Sequence, residues 1–121
     1  MTEEPVKLVY LAKPTQCVLW EHPDRIALKF SELLDEVESY EDSSHLTRSL
    51  YKCRECGQRY FHEWYEWVDW KGGKDKMYTT LIPVQTQAEI DTLKETNTYM
   101  LMTYFPRLQI DGGVAKWMGM S

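Results

Sequence analysis

Apolar and polar residues alternate in several stretches of this chain, and elsewhere the apolar positions recur at helical spacing. Residues 6–10 and 15–20 read as strands separated by Lys13-Pro14, with Cys17 in the second. His22-Pro23-Asp24 breaks the pattern, because the residue before a proline is pushed out of the helical region. Phe30, Leu33, Leu34 and Val37 then recur at helical spacing, which predicts a short amphipathic helix over 31–40. Ser31 can cap it, and Asp35 and Glu36 lie early enough to favour its dipole. Glu41-Asp42-Ser43-Ser44 is a polar loop ending at His45.

Residues 46–52 lead as a strand into a tight turn, and 59–70 lead out of it. The second arm is aromatic on both faces, with Phe61, Tyr65 and Trp67 on one side and Trp64, Val68 and Trp70 on the other. A strand apolar on both sides belongs in the middle of a sheet. Lys71-Gly72-Gly73-Lys74-Asp75 is a turn, and 77–84 returns as a strand rich in Thr, Tyr and Ile. Thr86 with Glu89 three residues later forms a capping box, opening a helix through Ile90 and Leu93 to about Thr96. Helical spacing persists to Met100, Leu101 and Tyr104, but Thr96 and Thr98 are β-branched, so continuation stays open. Residues 108–111 and 114–118 flank Gly112-Gly113 as a terminal hairpin. The class is α+β: an antiparallel β-meander built on a knuckle hairpin, with two or three short flanking helices.

At 121 residues the chain reads as one domain, 1–121, burying roughly two-thirds of its unfolded surface. No run approaches the roughly 18 apolar residues of a membrane span, and the acidic Met-Thr-Glu-Glu start is unlike a signal peptide. A cytoplasmic protein is expected, and three cysteines fit a reducing compartment better than a disulfide framework. A net charge of −5 argues against a protein that coats nucleic acid. Charge is also segregated. Residues 31–42 carry Glu32, Asp35, Glu36, Glu38, Glu41 and Asp42 with no basic residue, whereas 48–59 carry Arg48, Lys52, Arg54 and Arg59 against Glu55.

The turn holds the chain's most specific chemistry, Cys53-Arg54-Glu55-Cys56-Gly57. Two thiols two residues apart, with glycine behind the second, form a knuckle in which both sulfurs can face one metal ion. This is half of a zinc site. Cys17 is the first addition, as a lone thiol readily recruited by a thiol pair. For the fourth ligand His45 ranks ahead of His22, because its flexible segment can fold back beside the knuckle. His62 ranks last, since six residues of extended strand carry it about 20 Å from Cys56. Three thiolates and one imidazole would close the site and make the Zn2+ structural. A redox role for the pair is weaker, because it lies between strands and not at a helix N-terminus.

Over residues 45–84 the segment Leu50-Tyr51-Lys52-Cys53-Arg54-Glu55-Cys56-Gly57-Gln58-Arg59-Tyr60-Phe61, with Glu63-Trp64-Tyr65-Glu66-Trp67-Val68-Asp69-Trp70 and Thr79-Thr80-Leu81-Ile82-Pro83-Val84, resembles a group of small uncharacterised bacterial proteins. These combine a zinc-knuckle hairpin with an aromatic, acidic second strand. The resemblance aligns their upstream histidine with His45 and implies no activity. The knuckle is also similar to rubredoxin-like and zinc-ribbon hairpins, but their second Cys-x2-Cys pair is absent.

Three roles follow from these residues. The first is a protein-binding module, in its specific form an inhibitor or immunity-type protein that masks a basic partner. The carboxylate run and the surface Glu63, Trp64, Glu66 and Trp67 would recruit that partner. The second is nucleic-acid binding through the basic knuckle, with Tyr60, Phe61 and Trp64 stacking on bases. Catalysis is the least supported, because no motif sets a nucleophile beside a base, and the chain is not expected to be an enzyme.

Overall fold

The computed structural model describes residues 7–67, 71–73, 76–111 and 113–119. In chain order the elements are β1 (Val9–Tyr10), α1 (Val18–Glu21), α2 (Asp24–Leu33), β2 (Leu34–Asp42), β3 (Leu46–Cys53) and β4 (Arg59–Trp67). They continue with β5 (Lys76–Val84), α3 (Gln87–Lys94), α4 (Thr98–Leu101), β6 (Tyr104–Phe105), β7 (Arg107–Asp111) and β8 (Val114–Met118).

The strand with large side chains on both faces, β4, is central, as its pattern requires. It pairs antiparallel with β3 and β5 in a six-stranded sheet of order β2-β3-β4-β5-β7-β8. Each face is buried under different elements. On one, Cys17 just before α1, Leu19 of α1 and Ile26 of α2 form a cluster with Cys53, Tyr60, Leu81, Leu108 and Trp117. On the other, α3 and α4 contribute Ile90, Leu93 and Leu101 to a cluster with Leu50, Phe61 and Ile82. The fold is therefore α+β, with an antiparallel sheet between two thin helical layers. Among the described residues no helix is long and apolar enough to cross a membrane.

Local signals placed several elements correctly. The capping box forms in full: Glu89 N–H donates to the Thr86 hydroxyl at 3.2 Å, and Thr86 N–H donates to the Glu89 carboxylate at 3.1 Å. The hairpin of β7 and β8 also forms. The helical spacing through Met100 and Leu101 belongs to a separate helix, α4, whose N-terminus is capped by Asn97.

Two expectations near the N-terminus are overturned. The predicted helix over 31–40 is instead the last turn of α2 followed by β2. Phe30 and Leu33 do lie on a helix, but Leu34 is the buried first residue of a strand and Val37 is exposed. Pairing with β3 captures this segment, and register shifts at 36–38 and 39–41 let the strand bulge along its ladder. Residues 15–20 are not a strand either. Cys17, Val18 and Leu19 are buried in succession, which a strand facing a single core cannot do, and they lead into α1. Val6, Val68, Trp70, Lys74, Asp75 and Gly112, all assigned to strands or turns from the sequence, lie outside the described residues.

Candidate metal centre

The knuckle is the turn between β3 and β4. Cys53 ends β3, its N–H donating to the Gln58 carbonyl at 2.8 Å, and its own carbonyl accepts from Gly57 N–H at 2.9 Å. Gly57 has φ +81°, in the left-handed region, with nothing within 4 Å of where a Cβ would stand. Glycine is needed there for conformation and not for space. The turn leaves Cys53 fully buried and Cys56 exposed.

Cys17 arrives from the opposite side. Gln16 turns the chain through φ +56°, Cys17 caps α1, and its carbonyl accepts from Trp20 and Glu21 N–H groups at 2.9 and 3.0 Å. Trp117 fixes α1 against β8, its indole N–H donating to the Leu19 carbonyl at 2.8 Å while its ring meets Trp20 edge-on. This anchoring carries the Cys17 sulfur into the core. The three sulfurs, Cys17, Cys53 and Cys56, lie within 4.8 Å of one another, and all three thiols are free.

Such a cluster can hold a metal ion. A tetrahedral thiolate site with bonds of about 2.3 Å separates its sulfurs by about 3.8 Å, so little contraction is needed. The donor set is soft and suits a thiophilic ion. Burial pushes the Cys17 thiol up to about 12, against the opposing pull of the Tyr60 hydroxyl. The Tyr60 phenol is raised as well, by burial and then by Cys17. Cys17 is thus a neutral thiol at physiological pH, a poor nucleophile that would release its proton to an incoming metal.

His45 does not join the thiols. It lies just before β3, at the end remote from Cys53, and its Nδ1 donates to the Glu66 carboxylate at 3.0 Å. Eight residues of strand separate it from Cys53, about 26 Å. The expectation of a site closed by that imidazole is therefore corrected. His22 closes α1 as its C-cap and is outside the cluster. His62 is buried between Phe30 and Tyr51, where burial lowers its pKa to about 4 and Nδ1 has no hydrogen-bond partner.

The expected partner-binding residues are also redistributed. Glu63 is only 1% exposed and ion-pairs with Arg48 at 2.7 Å, so it cannot face a partner. Glu66 is engaged by His45, and Trp64 is half-buried beside His62 and Phe30. The side chain of Trp67 lies outside the description. Tyr60 and Phe61, expected to stack on bases, are instead fully buried, and the Tyr60 hydroxyl lies 3.0 Å from the Cys17 sulfur, a neighbour of the thiols that the sequence reading did not place there. The signal for Tyr60 was an aromatic residue on the knuckle side of a strand buried on both faces. No protein-family model, curated protein or solved structure matches the chain.

Proposed function

We propose that this protein is a zinc-stapled protein-binding module, in which Cys17, Cys53 and Cys56 hold Zn2+ and the acidic strand β2 engages a basic protein partner. The observation that carries the partner reading is the position of β2. It is the terminal strand of the sheet, and Asp35, Glu36, Glu38, Glu41 and Asp42 along it are all exposed. An edge strand offers unpaired backbone groups to an incoming strand, and its carboxylates bias capture toward basic sequences. Charged edges also discourage self-association, which fits a surface reserved for a chosen partner. When bound, the ion would cross-link α1 to the β3–β4 turn and so stiffen the scaffold behind that surface. An inhibitor or immunity-type role is the specific form of this reading.

Nucleic-acid binding is less favoured because three of the four basic residues near the knuckle, all but the exposed Lys52, are engaged within the fold. Arg48 is buried on Glu63, Arg54 donates to Asp35 at 2.8 Å, and Arg59 donates to the Gln85 carbonyl at 2.8 Å. The test is affinity capture from the native host with wild-type protein and a Glu36→Lys, Glu38→Lys, Glu41→Lys variant. A basic protein retained by the wild type, released by salt and lost in the variant supports the reading. Equal capture by both proteins, or capture of nucleic acid alone, contradicts it.

A further inference from the structure

On the face of the sheet opposite the thiols, β3, β4, β5 and β7 align a row of polar residues where a core would ordinarily be apolar. Arg48 stands opposite Glu63, Glu63 opposite Thr80, and Thr80 opposite Gln109. The row is linked by side-chain hydrogen bonds. Arg48 pairs with Glu63, Thr98 Oγ1 donates to the same carboxylate at 3.3 Å, and Gln109 Nε2 donates to the Thr80 hydroxyl at 3.0 Å. Burying so many polar groups costs stability relative to apolar packing.

The row borders a cavity of about 540 Å³, within the range of small-molecule sites, roughly 300–1,000 Å³. The cavity is polarised along β7. At one end Arg107, 8% exposed, lines the wall; at the other Asp111 stands opposite Tyr78, which in turn stands opposite Tyr65, while the Glu63 carboxylate that also lines the cavity has its charge met by Arg48. Arg107 and Asp111 are four strand positions apart, about 13 Å. Tyr99 of α4 lines the same cavity and is exposed.

The two buried guanidinium groups differ. Arg48 has its counter-charge in Glu63. Arg107 is held by neutral acceptors only, the Met102 carbonyl at 2.6 Å, the Tyr104 carbonyl at 3.3 Å and Gln109 Oε1 at 3.3 Å. Among the described residues no carboxylate lies within ion-pair distance of it. A buried cation without a counter-charge is costly, and a bound anion offsets that cost.

We infer that this cavity is a binding site for a small aromatic carboxylate, with its anionic group on Arg107 and its ring beside Tyr65, Tyr78 and Tyr99. Asp111 at the far end sets the orientation, repelling the carboxylate and accepting from a hydroxyl or N–H on the ring. The site is on the other face of the sheet from the thiols and does not depend on metal binding or on a protein partner.

The probes are 4-hydroxyphenylacetate and its neutral amide, titrated into the full chain and followed by calorimetry and amide chemical-shift mapping. The acid is expected to bind about ten-fold more tightly than the amide and to shift Tyr65, Tyr99 and Gln109. Arg107→Lys should retain the preference for the acid, and Arg107→Gln should abolish it. A purely structural tie from Arg107 to the Met102 and Tyr104 carbonyls would give no such discrimination. Should Arg107→Gln fail to fold, Tyr99→Ala decides, since this exposed residue should weaken the acid several-fold without changing the melting temperature. Equal binding of acid and amide by the wild type, or no shift at these residues at millimolar ligand, overturns the inference.

Discussion

The Cys17 sulfur and the Tyr60 hydroxyl lie 3.0 Å apart in the core, although 43 residues separate them in the chain. Both side chains are fully buried, so this contact joins the turn before α1 to the central strand. It places the third thiol where the knuckle can use it.

Tyr60→Phe keeps the ring and removes that contact. In reduced, metal-free protein the variant should lose about 1 kcal/mol of stability by urea titration, the ordinary net value of one buried hydrogen bond. With metal bound the loss should shrink, because the Cys17 sulfur then has another partner. An unchanged midpoint in the metal-free protein would show that the contact contributes nothing.

The parts of the fold legible in the sequence were those set by neighbours along the chain. Cys53, Cys56 and Gly57 define a turn within five residues, and Thr86 with Glu89 defines a helix start within four. The misread parts depend on distant pairing. Leu34 to Val37 has helical spacing, yet β3 takes that segment as its sheet neighbour. His45 is near Cys53 in sequence, but an intervening strand is rigid and keeps its ends apart. Glu63 reads from the sequence as a surface residue, although it shares its strand face with Phe61 and is buried. Its partner Arg48 emerged only from the register of β3 against β4.

The Arg48–Glu63 pair gives a second prediction. Glu63→Ala leaves a buried guanidinium without its carboxylate and should cost about 3–5 kcal/mol in guanidinium chloride unfolding. Replacing both residues together, as Arg48→Met with Glu63→Leu, should recover most of that loss. A single variant as stable as the wild type would mean that water reaches Arg48 freely.

His62 supplies a pH dependence. Burial lowers its pKa from 6.5 to about 4, so between those values the unfolded chain binds the extra proton. Its contribution is fully present above about pH 6.5 and is lost as pH falls toward 4, amounting to about 3 kcal/mol. His62→Phe, measured with chelator present so that metal release does not intrude, should flatten the stability profile across that window. Parallel profiles for variant and wild type would rule out burial of the neutral imidazole.

The proposed metal ion is held by Cys17, Cys53 and Cys56 without His45. Its most direct test is elemental analysis of freshly purified, fully reduced wild-type protein beside Cys53→Ser and His45→Ala. Stoichiometric zinc is expected in the wild type, unchanged zinc in His45→Ala, and loss of zinc in Cys53→Ser. A wild type without stoichiometric metal, or a His45→Ala variant that loses it, would contradict the account.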